Sequence, residues 1–208
     1  MHDSPSTRAT FSASTFYLLL IVSFFISFMG LFIPIMEVDA SQYASMSLEL
    51  WQRNSLLQLT DLGEAYLDKP PLLFWLSGLS ISLFGHSSFA FKLPSFLMAW
   101  FSVYGLYQFS KLYYKEEISR LAALVYACTV AFLLFTNDIR TDTLMISLVV
   151  LTVWQGSVFL KTNQIKALFL ATVAVSFAML AKGPIGLVVP LLAIGPQLLL
   201  KKEWKKLL

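Results

Sequence analysis

The chain has 208 residues, 57% of them hydrophobic and only 13% charged, whereas a soluble domain carries about a quarter charged residues. A chain this apolar needs lipid as its solvent. Its net charge of +3 forms no basic patch interleaved with exposed polar residues, which argues against nucleic acid as a partner.

Residues 1–15 are polar and rich in Ser and Thr, and are expected to form a cytoplasmic tail; the membrane part then runs over 16–208. The run Phe16–Met36 is longer than the roughly 7–15 apolar residues of a signal-peptide core, and predicts a retained signal anchor. A long outer loop, 37–88, follows. In it Tyr43, Met46, Leu50 and Trp51 recur at helical spacing, which predicts a short amphipathic helix over Ala40–Arg53. Pro70-Pro71 opens the apolar run Leu72–Phe84. That run has 13 residues, short of the roughly 17–20 needed to cross a bilayer, and predicts a second helix lying in the interface. Five further runs follow: Phe89–Phe109, Leu121–Thr136, Leu144–Leu160, Ala167–Ala181 and Pro184–Leu200. With the first run they predict about six transmembrane helices. Cys128, in the middle of the third, is the only cysteine, so no internal disulfide can form. It reads as a small buried apolar residue.

The charges orient this bundle. Arg8, Lys111, Lys115, Arg120, Lys161, Lys166 and Lys201, Lys202, Lys205 and Lys206 fall on one side, ten of the fifteen Lys and Arg. By the positive-inside rule that side is cytoplasmic, as is the N-terminus. The other side collects eight of the twelve acids: Glu37, Asp39, Glu49, Asp61, Glu64, Asp68, Asp138 and Asp142.

Several residues on that outer side carry possible chemistry. Asp39-Ala40-Ser41-Gln42 fits a capping box, with Asp39 at a helix N-terminus and Gln42 reaching back. Asp39 at the lip of the membrane fits a general base equally well. In Asp68-Lys69-Pro70-Pro71, Lys69 stands one position before a helix start, a combination that attracts anions. Asn137-Asp138-Ile139-Arg140-Thr141-Asp142 packs charges into the shortest outer turn. Asp138 reads as the partner of Arg140 in a solvated pair, whereas Asp142 abuts an apolar run, where charge is costly and usually functional. Lys182, before Gly183-Pro184, sits on the side where lysine is disfavoured, as does Lys92. His2 and His86 are the only histidines, with no metal-site spacing, and there is no P-loop or GxGxxG.

Taken in order, these stretches resemble the membrane glycosyltransferases that use polyprenyl-phosphate sugars: the protein O-mannosyltransferase superfamily, and within it the lipid A aminoarabinose transferases. The matching residues are Asp39 with Tyr43, then Tyr66-Leu67-Asp68-Lys69-Pro70-Pro71-Leu72-Leu73-Phe74-Trp75, Leu83-Phe84-Gly85 and Lys92-Leu93-Pro94-Ser95, followed by Arg140-Thr141-Asp142 and Leu180-Ala181-Lys182-Gly183-Pro184. The resemblance implies an all-α GT-C membrane fold with two interfacial helices in the first outer loop. It implies Asp39 as the catalytic aspartate, deprotonating an acceptor hydroxyl or orienting an acceptor phosphate, with Lys69, Lys182 and Arg140 holding the donor phosphate. Tyr43, Tyr66, Asp68, Lys92 and Asp142 would line and support the cavity. The substrates would be a polyprenyl-phosphate sugar and a lipid, glycan or protein acceptor, with no cofactor required and a divalent metal an open but unsupported alternative. Ala40 follows Asp39 where many members have a second acid, Gln42 stands where the aminoarabinose branch tends to have Arg, and Lys92 replaces Arg. The sugar therefore stays open. Family members are commonly more than twice as long, so the chain is expected to be an N-terminal portion, truncated at its C-terminus. A transporter or flippase-like protein, with Lys182 and Asp142 as an ion-coupling pair, and a truncated non-enzymatic membrane protein are the alternatives.

Overall fold

The computed structural model of the chain describes residues 12–35, 37–53 and 56–200. Most of the polar tail and the lysines at 201–206 lie outside the described residues. The first helix, α1 (Ala13–Met29), is capped by Ser12 and runs into a single 3-10 turn, Gly30–Phe32. In the loop expected to lie outside come α2 (Val38–Gln52), a two-stranded antiparallel hairpin of β1 (Thr60–Asp61) and β2 (Glu64–Ala65), and α3 (Leu72–Phe84). The bundle continues through α4 (Ser88–Lys111), α5 (Glu116–Ala127), α6 (Val130–Thr136), α7 (Thr141–Thr162), α8 (Ile165–Lys182) and α9 (Ile185–Leu200).

The expectation of about six spans meets a more varied set. The segment Ala13–Phe32 and helices α4, α7 and α8 are long and apolar enough to cross a bilayer, and α5 with α6 makes a fifth span if the two are taken together. The last run forms the shorter α9, which carries Pro190 and Pro196. The third run is not one helix: α5 and α6 are bent by 58° at Cys128-Thr129. Thr129 caps the new helix by accepting a hydrogen bond from Phe132 N at 3.2 Å. The break turns Cys128 outward, so the cysteine is exposed and not buried as its apolar surroundings suggested.

The chain packs around two cores. One lies beneath the loop of α2 and α3, where Tyr43, Met46 and Leu50 of α2 meet Leu73 and Phe74 of α3, Leu144 and Leu148 of α7, and Ala178 and Ala181 of α8. Trp51, placed on the same face by its spacing, is 42% exposed instead. The second core joins α1, α4, α5 and α6 through Phe16, Val103, Leu124 and Phe132. In α8 the buried positions are Ala167, Ala171, Ala174, Ala178 and Ala181, small residues that let α7 and α8 approach closely. These cores bring the end of α1, the starts of α2, α4 and α7 and the end of α8 to one end of the bundle.

Candidate active site

The site is built on the N-terminus of α2. Glu37 is its cap, and its Oε2 accepts from Ala40 N at 2.9 Å. This corrects the capping box expected at Asp39: the helix starts two residues earlier, and Glu37 takes the N–H three residues on, Ala40 N, in place of the Gln42 N–H that an Asp39 cap would take. Gln42 does not reach back either. Its Nε2 donates to Asp61 Oδ2 at 2.6 Å and so ties α2 to the hairpin. Asp39 is left in the first turn, exposed, with no side-chain hydrogen bond or ion pair among the described residues. The helix N-terminus favours its negative charge.

One turn further, Tyr43 is buried against Phe74, edge to face with ring centroids 5.8 Å apart. Burial pushes its hydroxyl up to about 12, helped by the nearby Tyr66 and by the negative charges of Asp39, Asp142 and Glu37. The hydroxyl therefore stays a neutral donor. Tyr66 is also raised, by burial first and then by Asp68, Asp61 and Asp39. Tyr66 and the half-buried Lys69 line a cavity of about 260 Å³, together with Leu57, Leu59 and Pro71. Lys69 has no hydrogen-bond or salt-bridge partner among the described residues; Asp68 beside it is exposed.

A second cavity, of about 420 Å³, lies on the side of α6 and α7. Ile33, Phe135, Glu37, Lys92, Asp138 and Arg140 are among the residues lining it. Arg140 Nε donates to Asp138 Oδ2 at 2.6 Å, and its Nη2 lies 3.7 Å from Glu37 Oε1. The Asp138 hydrogen bond and charge push the guanidinium still further up, so it is a permanent cation. Lys92 is 2% exposed; it does not reach for the surface but donates to backbone carbonyls at the end of α1. Lys182, in the last turn of α8, pairs with Asp142 in the first turn of α7. This pair sits at helix ends, whereas an ion-coupling pair of a transporter belongs deeper in the span.

Two further acids shape the site. Glu37 was legible as an outer acid but not as the cap that links α2 to Arg140. Glu49 accepts from Thr60 Oγ1 at 2.7 Å and from Gly63 N at 3.3 Å, which fastens the hairpin to α2. The Thr60 hydrogen bond leads the effects that hold its carboxylate below its usual range. Its pairing depends on a hairpin that sequence patterning does not reveal. No three His, Cys, Asp or Glu side chains form a metal-holding group among the described residues.

This arrangement is a free carboxylate one turn before a neutral tyrosine donor, with Arg140 held by Asp138 and Glu37, Lys182 paired to Asp142, and Lys69 in the cavity beside Tyr66. The family model of dolichyl-phosphate-mannose-protein mannosyltransferases matches residues 68–208, more than half of the chain. The chain belongs to that family. It is 27% identical over 173 residues to an undecaprenyl phosphate-alpha-4-amino-4-deoxy-L-arabinose arabinosyl transferase of Wigglesworthia glossinidia brevipalpis, covering 80% of this chain and 30% of the relative. A transferase of the same name from Enterobacter sp. (strain 638) is 22% identical, with 83% of this chain and 32% of the relative covered. The chain thus spans about a third of the length of the curated relatives it matches. Its fold is that of ArnT from Cupriavidus metallidurans, a GT-C all-helical membrane protein. The TM-scores are 0.81 to the apo form and 0.84 to the form bound to undecaprenyl phosphate. Identity there is 18% and 16%, and the match covers 93% of this chain and 37% of that one. The chain is a multi-pass membrane protein of the GT-C type.

Proposed function

We propose that this chain carries the catalytic membrane module of a glycosyltransferase. It moves a glycosyl group from a polyprenyl-phosphate sugar to a lipid, glycan or protein acceptor at the extracytoplasmic face of the cell inner membrane. The observation that carries the reading is Asp39, exposed and unpaired among the described residues in the first turn of α2, one turn before the buried Tyr43, with Lys182 paired to Asp142 at the same end of the bundle. The relatives named as transferases acting with undecaprenyl phosphate support the donor class.

Asp39 takes the proton of the acceptor hydroxyl as that oxygen bonds to the anomeric carbon. The carbon–oxygen bond to phosphate breaks on the opposite face, its electron pair leaves with the phosphate, and the anomeric carbon is inverted. Lys69 and Lys182 hold the leaving phosphate, Lys182 exchanging Asp142 for it, and Arg140 adds a fixed positive charge. A monophosphate leaving group carries little enough charge for these cations to stabilise without a divalent metal. The basic loops at the other end of the bundle support an outward-facing site.

In the full-length protein, Asp39→Asn is expected to insert and fold normally and to lose transfer by about a hundredfold or more. Near-normal transfer by that variant would remove Asp39 as the base.

A further inference from the structure

Lys92 is the only Lys, Arg, Asp or Glu side chain buried among the described residues, at 2% exposure. Burying an ammonium ion is costly unless it is well paired, yet no carboxylate lies within 4 Å of it among the described residues; Asp138 is the acid within electrostatic reach. What it touches is backbone. Its Nζ donates to Ile33 O at 2.8 Å and to Gly30 O at 3.3 Å. These belong to the 3-10 turn ending α1 and to the residue that caps it. Gly30 O also accepts from Ile33 N at 3.2 Å, and the carbonyls at a helix C-terminus carry the negative end of the dipole. A cation there complements that negative end and gives Ile33 O a donor.

The same turn is clamped from its other side. A Cβ added at Gly30 would fall 1.9 Å from Asn137 Oδ1, so the turn between α6 and α7 lies directly on the glycine. Four residues after Ile33 comes Glu37, which caps α2 and faces Arg140; three residues after Asn137 comes Arg140 itself. Both sides of the Glu37–Arg140 contact therefore hang on this one junction, and Asp39 stands two residues beyond Glu37.

We propose that Lys92 is a positioning residue whose ammonium group clamps the end of α1 and thereby fixes where Glu37 and Asp39 stand. The clamp rests on the reading of Asp39 as the base only for its effect on catalysis. It explains why a lysine is buried on the side where lysine is disfavoured, and why it turns away from the surface.

The test uses the full-length protein with Cys128→Ser and spin labels at 41 and 134, both exposed positions, the first on α2 and the second on α6. The unsubstituted parent is expected to give one narrow distance distribution. Lys92→Met is expected to broaden or shift it, and to lower kcat about tenfold or more with the donor KM unchanged. Lys92→Arg, which keeps the charge and the donors, is expected to restore both. Parental distances in Lys92→Met overturn the clamp, and a raised donor KM with unchanged kcat assigns Lys92 to donor binding instead. Should Lys92→Met fail to fold, Gly30→Ala displaces the same turn with Lys92 intact. The same broadening supports the clamp, and a parental distribution overturns it. If the parent transfers no sugar, the reading of Asp39 fails while the distances still decide the clamp.

Discussion

At the scale of single residues, Tyr43 holds its proton because burial leaves its hydroxyl short of water, with the nearby Tyr66, Asp39, Asp142 and Glu37 adding to the effect. Its usual value is 10.0 and its folded value about 12, so the folded protein binds this proton more tightly than the unfolded chain does. The sign follows by linkage: the contribution is complete below pH 10 and is lost as pH rises towards about 12. The apparent unfolding temperature in detergent is expected to fall over that interval, and Tyr43→Phe to flatten the fall. A parallel decline in both proteins would show that Tyr43 is not the group responsible. The neighbouring Asp39 shows what residue-level reading of the sequence reaches and what it misses. Its position at a helix start was legible from its place after the first apolar run. That Glu37 takes the cap, leaving Asp39 free, depends on a side-chain length and a backbone path that a motif of four residues does not encode.

At the scale of elements, the break between α5 and α6 shows how an apolar run can hide a joint. Thr129 supplies the cap of α6, and Ser23 of α1 donates to Ala127 O at 2.9 Å, so the last carbonyl of α5 is not left bare in an apolar setting. Ser23→Ala removes that donor and is expected to cost about 1 kcal/mol, read as a fall of a few degrees in apparent unfolding temperature. Ser176→Ala, whose hydroxyl returns to Thr172 O on an exposed face of its own helix, is the control expected to change nothing. An equal fall in both variants would mean that the joint is not held by Ser23. The bounds of α3, Leu72–Phe84, match the apolar run because Pro70 and Pro71 fix where it can start. The hairpin was not legible: its strands have two residues each, too few for any alternation to register. Its turn places Leu62 at φ 50° beside Gly63 at 89°, a backbone that leucine seldom adopts.

At the scale of the molecule, two ends of one bundle carry different chemistry. At one end, Asp39, Tyr43, Tyr66, Asp142 and Lys182 gather around the start of α2. At the other, Lys111 and Arg120 pair with Glu116 at 3.2 and 3.3 Å, and Lys161 donates to Leu112 O while standing 3.9 Å from the Tyr113 ring centroid. The helices alternate in direction, so neither end can change sides without the other. By the positive-inside rule we propose that the basic end is cytoplasmic. With Cys128→Ser as background, a cysteine at exposed position 41 is expected to react with a membrane-impermeant maleimide once the outer envelope is opened. A cysteine at exposed position 164 is expected to react only after the inner membrane is permeabilised. The reverse pattern would put the carboxylates in the cytoplasm, where a donor sugar on the outer leaflet is out of reach, and would overturn the proposed side of reaction even if the site residues were correct.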